Sequence, residues 1–193
     1  MNFFLDTANI QEIEDALKKG VVSGITTNPS LMAKEPKTNF FQHIKKIAEV
    51  CSEYGEVPLS VEVFARDSSE MLDQGLGIVE EIAYPNINIK IPIGYEELEV
   101  IQKLSEMEID VNCTCCFTAA QMQLGALAGA RYVSLFYNRL LDARGDPRET
   151  LSKTRGFWEE NQLFCQIIAG SIRSPRDIED AWDSGAHIVT AGY

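Results

Sequence analysis

The chain has 193 residues, 45% hydrophobic and 24% charged, with a formal net charge of −12. Such a composition fits one soluble globular domain, residues 1–193, large enough for a substantial core. The acidic balance argues against a nucleic-acid surface, and no apolar run approaches the ~20 residues that cross a bilayer, so no membrane partner is expected. The segment Met1-Asn2-Phe3-Phe4-Leu5-Asp6 has neither a basic n-region nor a cleavage site, and a cytoplasmic protein is expected.

Strand patterns recur near residues 2–6, 22–27, 58–64, 86–92, 110–116, 132–137, 164–170 and 187–191. Helical patterns alternate with them. Asn9, followed by Glu12, reads as the first helix start. Asp67-Ser68-Ser69-Glu70 and Thr118-Ala119-Ala120-Gln121 resemble capping boxes, whose side chains satisfy the free amides of a helix start. Asp146-Pro147 and Ser174-Pro175 place a cap before a proline at the first helical position. Gly20, Gly129 and Gly185 follow helical stretches, where glycine suits a left-handed C-cap.

Eight strands alternating with helices predict a parallel sheet with right-handed crossovers. The sheet could stay open and doubly wound, or close into a (β/α)8 TIM barrel. Closure is favoured because polar residues recur inside many strands. Ser60, Glu62 and Phe64 alternate with Leu59, Val61 and Val63; Asn112 and Thr114 share a face, as do Ser134 and Phe136. A barrel sends one parity outward to the helices and the other inward. Asp6, Glu62, Lys90, Thr114 and Ser134 would then converge at the carboxyl-end mouth, where barrel enzymes do their chemistry.

Lys90 carries the sharpest chemical signal. In Asn86-Ile87-Asn88-Ile89-Lys90-Ile91-Pro92-Ile93 the isoleucines take one face; Asn88, Lys90 and Pro92 take the other. No carboxylate adjoins Lys90 in sequence. Burial disfavours an ammonium, and a neutral amine attacks carbonyls to form Schiff bases. The alternative is a strand-end lysine that snorkels to water.

The five cysteines, Cys51, Cys113, Cys115, Cys116 and Cys165, lack the spacing of a disulfide framework and fit a reducing compartment. Cys113 and Cys116 form a C-x-x-C, but His43 and His187 are far away in sequence and no metal site is expected. Strand alternation puts Cys113 and Cys115 on one side, as small buried thiols.

Across its length the chain resembles transaldolases, especially the small subfamily that includes fructose-6-phosphate aldolases. The matching segments are Phe4-Leu5-Asp6-Thr7-Ala8-Asn9, Gly24-Ile25-Thr26-Thr27-Asn28-Pro29-Ser30, Glu62-Val63, Ile89-Lys90-Ile91-Pro92, Asn112-Cys113-Thr114, Phe117 to Gln121, Tyr132-Val133-Ser134, Asn138-Arg139 and Ser171-Ile172-Arg173. The resemblance implies a class I aldolase-type barrel with Lys90 as the Schiff-base lysine and Asp6 as the acid/base at the substrate C4 hydroxyl. Glu62 and Thr114 would manage a catalytic water. Asn28 and Ser134 would hold the dihydroxyacetone hydroxyls, with Thr26 in support. Arg139, Ser171 and Arg173 would hold the sugar phosphate. The implied reaction transfers a dihydroxyacetone unit between sugar phosphates in the pentose phosphate pathway, with no cofactor. Glu62 and Phe136 resemble the transaldolase pattern, where the aldolases carry glutamine and tyrosine; Asn138 is closer to the aldolase sequence.

The resemblance also implies a homo-oligomer, a pentamer or decamer, and two helices beyond the eighth strand, one packing on a neighbouring subunit. The sequence stops at Tyr193, so the expected barrel lacks those helices, as a truncated or a naturally short member. Competing functions are fructose-6-phosphate aldolase-type cleavage, another class I aldolase of the deoxyribose-phosphate or ketose-bisphosphate type, and a non-catalytic sugar-phosphate-binding barrel.

Overall fold

A computed structural model describes residues 1–37 and 39–193. Eight strands pair in parallel: β1 (Asn2–Asp6), β2 (Ile25–Thr26), β3 (Leu59–Glu62), β4 (Ile87–Pro92), β5 (Val111–Cys116), β6 (Tyr132–Phe136), β7 (Gln166–Gly170) and β8 (Ile188–Ala191). β8 pairs with β1, from Asn2 opposite Ile188 to Leu5 opposite Ala191, so the sheet closes on itself. The helices are α1 (Ile10–Lys18), α2 (Pro29–Met32), α3 (Phe40–Glu53), α4 (Ser68–Ile82), α5 (Glu97–Glu106), α6 (Ala119–Leu127), α7 (Tyr137–Asp142), α8 (Pro147–Asn161) and α9 (Pro175–Asp183). This is the (β/α)8 barrel the alternation predicts. Among the described residues no helix is long and apolar enough to cross a membrane.

Outward strand residues such as Ile25, Val61, Ile89, Ile91, Val133 and Ile167 are fully or almost fully buried against helix residues such as Ile13, Ile44, Ile78, Leu104 and Met122. That layer is the main core, and hydrophobic burial there is what holds the barrel shut. A second, smaller cluster fills the barrel floor: Phe4, Tyr132, Ile168 and Ile188. It plugs the end away from the polar mouth. Gly24 allows this plug, since a Cβ there would lie 2.5 Å from the Phe4 ring. Gly125 plays the same part outside the barrel, where a Cβ would lie 2.6 Å from Cys113 Sγ and push α6 off β5.

Several sequence boundaries shift. The strand expected over 22–27 is regular only at Ile25–Thr26, because the chain turns off at Asn28, which caps α2 by accepting from the Leu31 N–H at 3.0 Å. The strand expected over 132–137 ends at Phe136, since Tyr137 opens α7. Thr118 and Ser174 form complete capping boxes; Asp67 caps α4 through the Ser69 N–H only. Gly20, Gly129 and Gly185 all have positive φ after helices. Ala83 and Gln162 take the same left-handed cap without glycine, which no residue-type signal marks.

Candidate active site

The carboxyl ends of the strands surround a cavity of about 270 Å³. Its lining includes Asp6, Thr26, Asn28, Glu62, Lys90, Thr114, Ser134, Phe136, Arg139 and Ser171, residues from seven strand ends or the loops that follow them. Strand parity explains the convergence. Register places Asp6 beside Thr26, Glu62 beside Lys90, Lys90 beside Asn112, and Pro92 beside Thr114. These inward residues therefore stand side by side across the strand pairings.

Lys90 is only 6% exposed. Its Nζ donates to the Thr27 carbonyl at 2.9 Å and lies 3.0 Å from Glu62 Oε2. No carboxylate neighbours Lys90 along the chain; Glu62 is brought in across the β3–β4 pairing. A buried ammonium is therefore paired and hydrogen-bonded, as its desolvation demands. Glu62 is also placed to accept a proton from it.

Asp6 Oδ1 accepts from Thr26 Oγ1 at 2.8 Å, and Thr26 Oγ1 lies 2.7 Å from Thr190 Oγ1. A hydroxyl has one proton. Thr26 spends its proton on Asp6, so Thr190 donates to Thr26. This chain fixes one oxygen of Asp6. On the opposite side Ser134 Oγ donates to Asn112 Oδ1 at 2.6 Å, and Asn112 Nδ2 donates to Ser60 Oγ at 3.2 Å. Asn112 and Thr190 thus line the cavity and Ser60 supports Asn112, three residues to which the sequence reading assigns no role in the site. Parity is the signal that could have found them, since they share the inward face of their strands. Each taken alone is an ordinary polar strand residue.

Two residues at the mouth hold positive φ without being glycine: Cys115 at 62° and Ser171 at 60°. Such backbone costs about 1 kcal/mol or more and collects at functional sites. At Cys115 it corrects the expected alternation. The β5–β6 register shifts between Cys113 and Cys116, a bulge that turns Cys115 into the cavity beside Thr114. Cys113 and Cys116 both fall outside, fully buried, with their sulfurs 4.0 Å apart. Burial, with Glu62 nearby, raises the Cys115 thiol above its ordinary pKa, so it is no ready nucleophile at neutral pH.

The two arginines separate. Arg139 lines the cavity with its guanidinium 4.4 Å from the Phe136 ring centroid. Among the described residues no carboxylate lies within 4.0 Å of it. Arg173 does not line the cavity. Its Nη1 and Nη2 donate to the two carboxylate oxygens of Asp142, at 3.0 and 2.6 Å. That half-exposed bidentate pair engages the guanidinium outside the cavity lining.

A family model described as Transaldolase/Fructose-6-phosphate aldolase matches residues 3–193. The chain belongs to that family. A probable transaldolase of Dehalococcoides mccartyi is 43% identical over 193 residues, covering 100% of this chain and 87% of the relative. A probable transaldolase of Geobacillus thermodenitrificans is 41% identical over 195 residues, with the same coverage. Among solved structures, a thiamine phosphate pyrophosphorylase from Pyrococcus furiosus superposes with a TM-score of 0.71 at 12% identity, over 98% of this chain and 84% of that one. At that identity the likeness shows the barrel fold alone. The protein is thus an enzyme of the transaldolase/fructose-6-phosphate aldolase family, and its polar cavity is where that chemistry is to be sought.

Proposed function

We propose that this protein is a transaldolase that moves a dihydroxyacetone unit between sugar phosphates through a Schiff base on Lys90, in pentose phosphate metabolism. The observation that carries this reading is the buried Lys90 amine in the barrel cavity, within 3.0 Å of Glu62. Glu62 takes a proton from the ammonium, and the free amine attacks C2 of a ketose phosphate. Glu62 and Thr114 handle the water that leaves as the carbinolamine becomes an iminium. The iminium draws in the electrons of the C3–C4 bond while Asp6 removes the C4 hydroxyl proton. The aldose phosphate departs, and an enamine stays on Lys90. The enamine then attacks the aldehyde carbon of a second aldose phosphate, Asp6 returns its proton to the new hydroxyl, and water frees the product. Protons and electrons balance around the cycle.

The deciding experiment incubates the protein with fructose 6-phosphate, reduces with borohydride and maps the adduct by mass spectrometry. A parallel assay follows release of glyceraldehyde 3-phosphate with and without erythrose 4-phosphate. Dependence of turnover on that acceptor supports transfer. Equal turnover without it would assign the protein to simple aldol cleavage.

Phe136 is expected to set that partition. It lines the cavity, packs edge-to-face on Phe117 at 5.9 Å, and offers no hydroxyl to water. Phe136→Tyr should raise release of free dihydroxyacetone at the expense of transfer, measured as the ratio of the two rates. An unchanged ratio would remove Phe136 from the proton path.

For phosphate binding the geometry favours Arg139 and Ser171 over Arg173. A guanidinium–phosphate contact is worth roughly 1.5–3 kcal/mol, so Arg139→Ala should cost about one to two decades in kcat/KM for fructose 6-phosphate. Fructose, without the phosphate, should be affected far less. Arg173→Ala should cost no more than about threefold, because exposed ion pairs are worth little. Equal losses from the two variants would mean that Arg173 leaves Asp142 to bind substrate.

A further inference from the structure

We infer that Asn138 is a positioning residue for the phosphate pocket, holding Ser171 and Arg139 in mutual register; this rests on the sugar-phosphate reading of the cavity above. Asn138 lies in the first turn of α7, just after β6, and is buried. Its Nδ2 donates to the Ser171 carbonyl at 2.9 Å and to Asp177 Oδ2 at 2.8 Å. Its backbone N–H also points at the Ser171 carbonyl, at 3.3 Å. Ser171 is the first residue after β7 and holds φ at 60°, a conformation that costs a residue with a Cβ about 1 kcal/mol or more. Two donors from one residue converge on the carbonyl of that strained peptide and fix its direction. With the carbonyl held toward α7, Ser171 stays in the cavity lining together with Arg139, which is next to Asn138 in the chain.

Asp177 completes the tie. The same oxygen that accepts from Asn138 accepts the N–H groups of Arg173 at 3.0 Å and Ser174 at 2.8 Å. Burial works against that carboxylate, but these donors outweigh it and hold Asp177 below the ordinary carboxylate range. It is therefore an ionised acceptor across the neutral range and a firm anchor for the amide. The amide of Asn138 has two N–H bonds and two acceptors, one on the β7 loop and one on α9, and both are used. Neither leucine nor aspartate could replace it: one has no donors, the other sets a carboxylate against two oxygens.

A purely structural role and a positioning role make different predictions, and a swap of the two side chains separates them. Asn138→Ala removes both links. Its KM for fructose 6-phosphate, and the dissociation constant of inorganic phosphate measured by calorimetry, should each rise about tenfold, the equivalent of one to two contacts from Ser171 and Arg139 to the phosphate lost through misalignment. The KM for fructose and borohydride trapping on Lys90 should stay within about twofold, since Lys90 and Glu62 are untouched. The double variant Asn138→Asp with Asp177→Asn restores a hydrogen bond between the two positions, and the amide oxygen introduced on α9 can still cap that helix. It restores no side-chain donor to the Ser171 carbonyl. A carboxylate at 138 also faces that carbonyl oxygen, so the double variant should recover only part of the thermal stability lost in Asn138→Ala while phosphate binding stays weak. Recovery of both together would show that Asn138 acts only through Asp177 and would overturn the proposal, as would unchanged phosphate affinity in Asn138→Ala. Phosphate calorimetry involves no turnover, so a failure of the Schiff-base reading would appear as absent trapping on Lys90 in the unmodified protein and leave this comparison intact.

Discussion

Lys90→Met is expected to abolish both the borohydride adduct and all carbon–carbon cleavage while the barrel stays folded. Methionine has similar length and no amine. Lys90 sits among the outward isoleucines of β4, whose packing against the helices does not involve its side chain. The variant gives up the bond to the Thr27 carbonyl and the ion pair with Glu62. Removing one partner of a fully buried pair costs about 3–5 kcal/mol, because the other charge is left stranded. Glu62 keeps 15% of its side chain exposed and faces the cavity, so water can solvate it and the cost should fall below that range. Circular dichroism should show an intact fold with a lowered Tm, and mass spectrometry should find no reduced adduct. An adduct on Lys103 or Lys153 with cleavage retained would sink the assignment. Both are exposed and already paired along their helices with Glu99 and Glu149.

Much of this site is legible from strand parity. The inward set on β3, β4, β5 and β6 follows from a period of two, and the apolar neighbours of Glu62, Lys90, Thr114 and Ser134 mark which parity faces the helices. Parity fails where the backbone leaves the regular strand. At Cys115 the bulge turns the side chain by one position, and no residue type announces it, because a cysteine with φ of 62° looks like any other in sequence. Phe64 fails for a similar reason. It shares the parity of Glu62, but β3 ends at Glu62 and Phe64 packs outside the main cavity, edge-to-face on Phe40 at 5.4 Å and 57% exposed. The loops beyond strand ends are the least legible part. Arg139 and Arg173 follow successive strands, and the family resemblance is the ground for expecting them to share one phosphate. Only the fold reveals that Asp142, at the end of α7, reaches Arg173 first. The Lys90–Glu62 pair is invisible in sequence for the same physical reason. Its members lie on different strands, and cross-strand register, which depends on the whole barrel, sets them side by side.

Asp6→Asn is expected to separate the two halves of the reaction. Asparagine keeps the shape of aspartate, and its carbonyl oxygen can still accept from Thr26, which already receives the proton of Thr190. Local structure should therefore be preserved, with a Tm close to that of the unmodified protein. What is lost is the ability to take up a proton. In the proposed mechanism Schiff-base formation draws on Lys90, Glu62 and Thr114, which the substitution leaves alone, so a borohydride adduct should still form with fructose 6-phosphate. Carbon–carbon cleavage needs a base at the C4 hydroxyl, and loss of general acid–base assistance typically costs about 10²–10⁴ in rate. The adduct should accordingly carry the intact six-carbon sugar instead of the three-carbon fragment, a mass difference read directly on the Lys90 peptide. This outcome cannot be produced by misfolding, which would remove the adduct altogether. If the variant cleaved fructose 6-phosphate within about tenfold of the unmodified rate, another group would be the base, and Glu62 would be the carboxylate to test next.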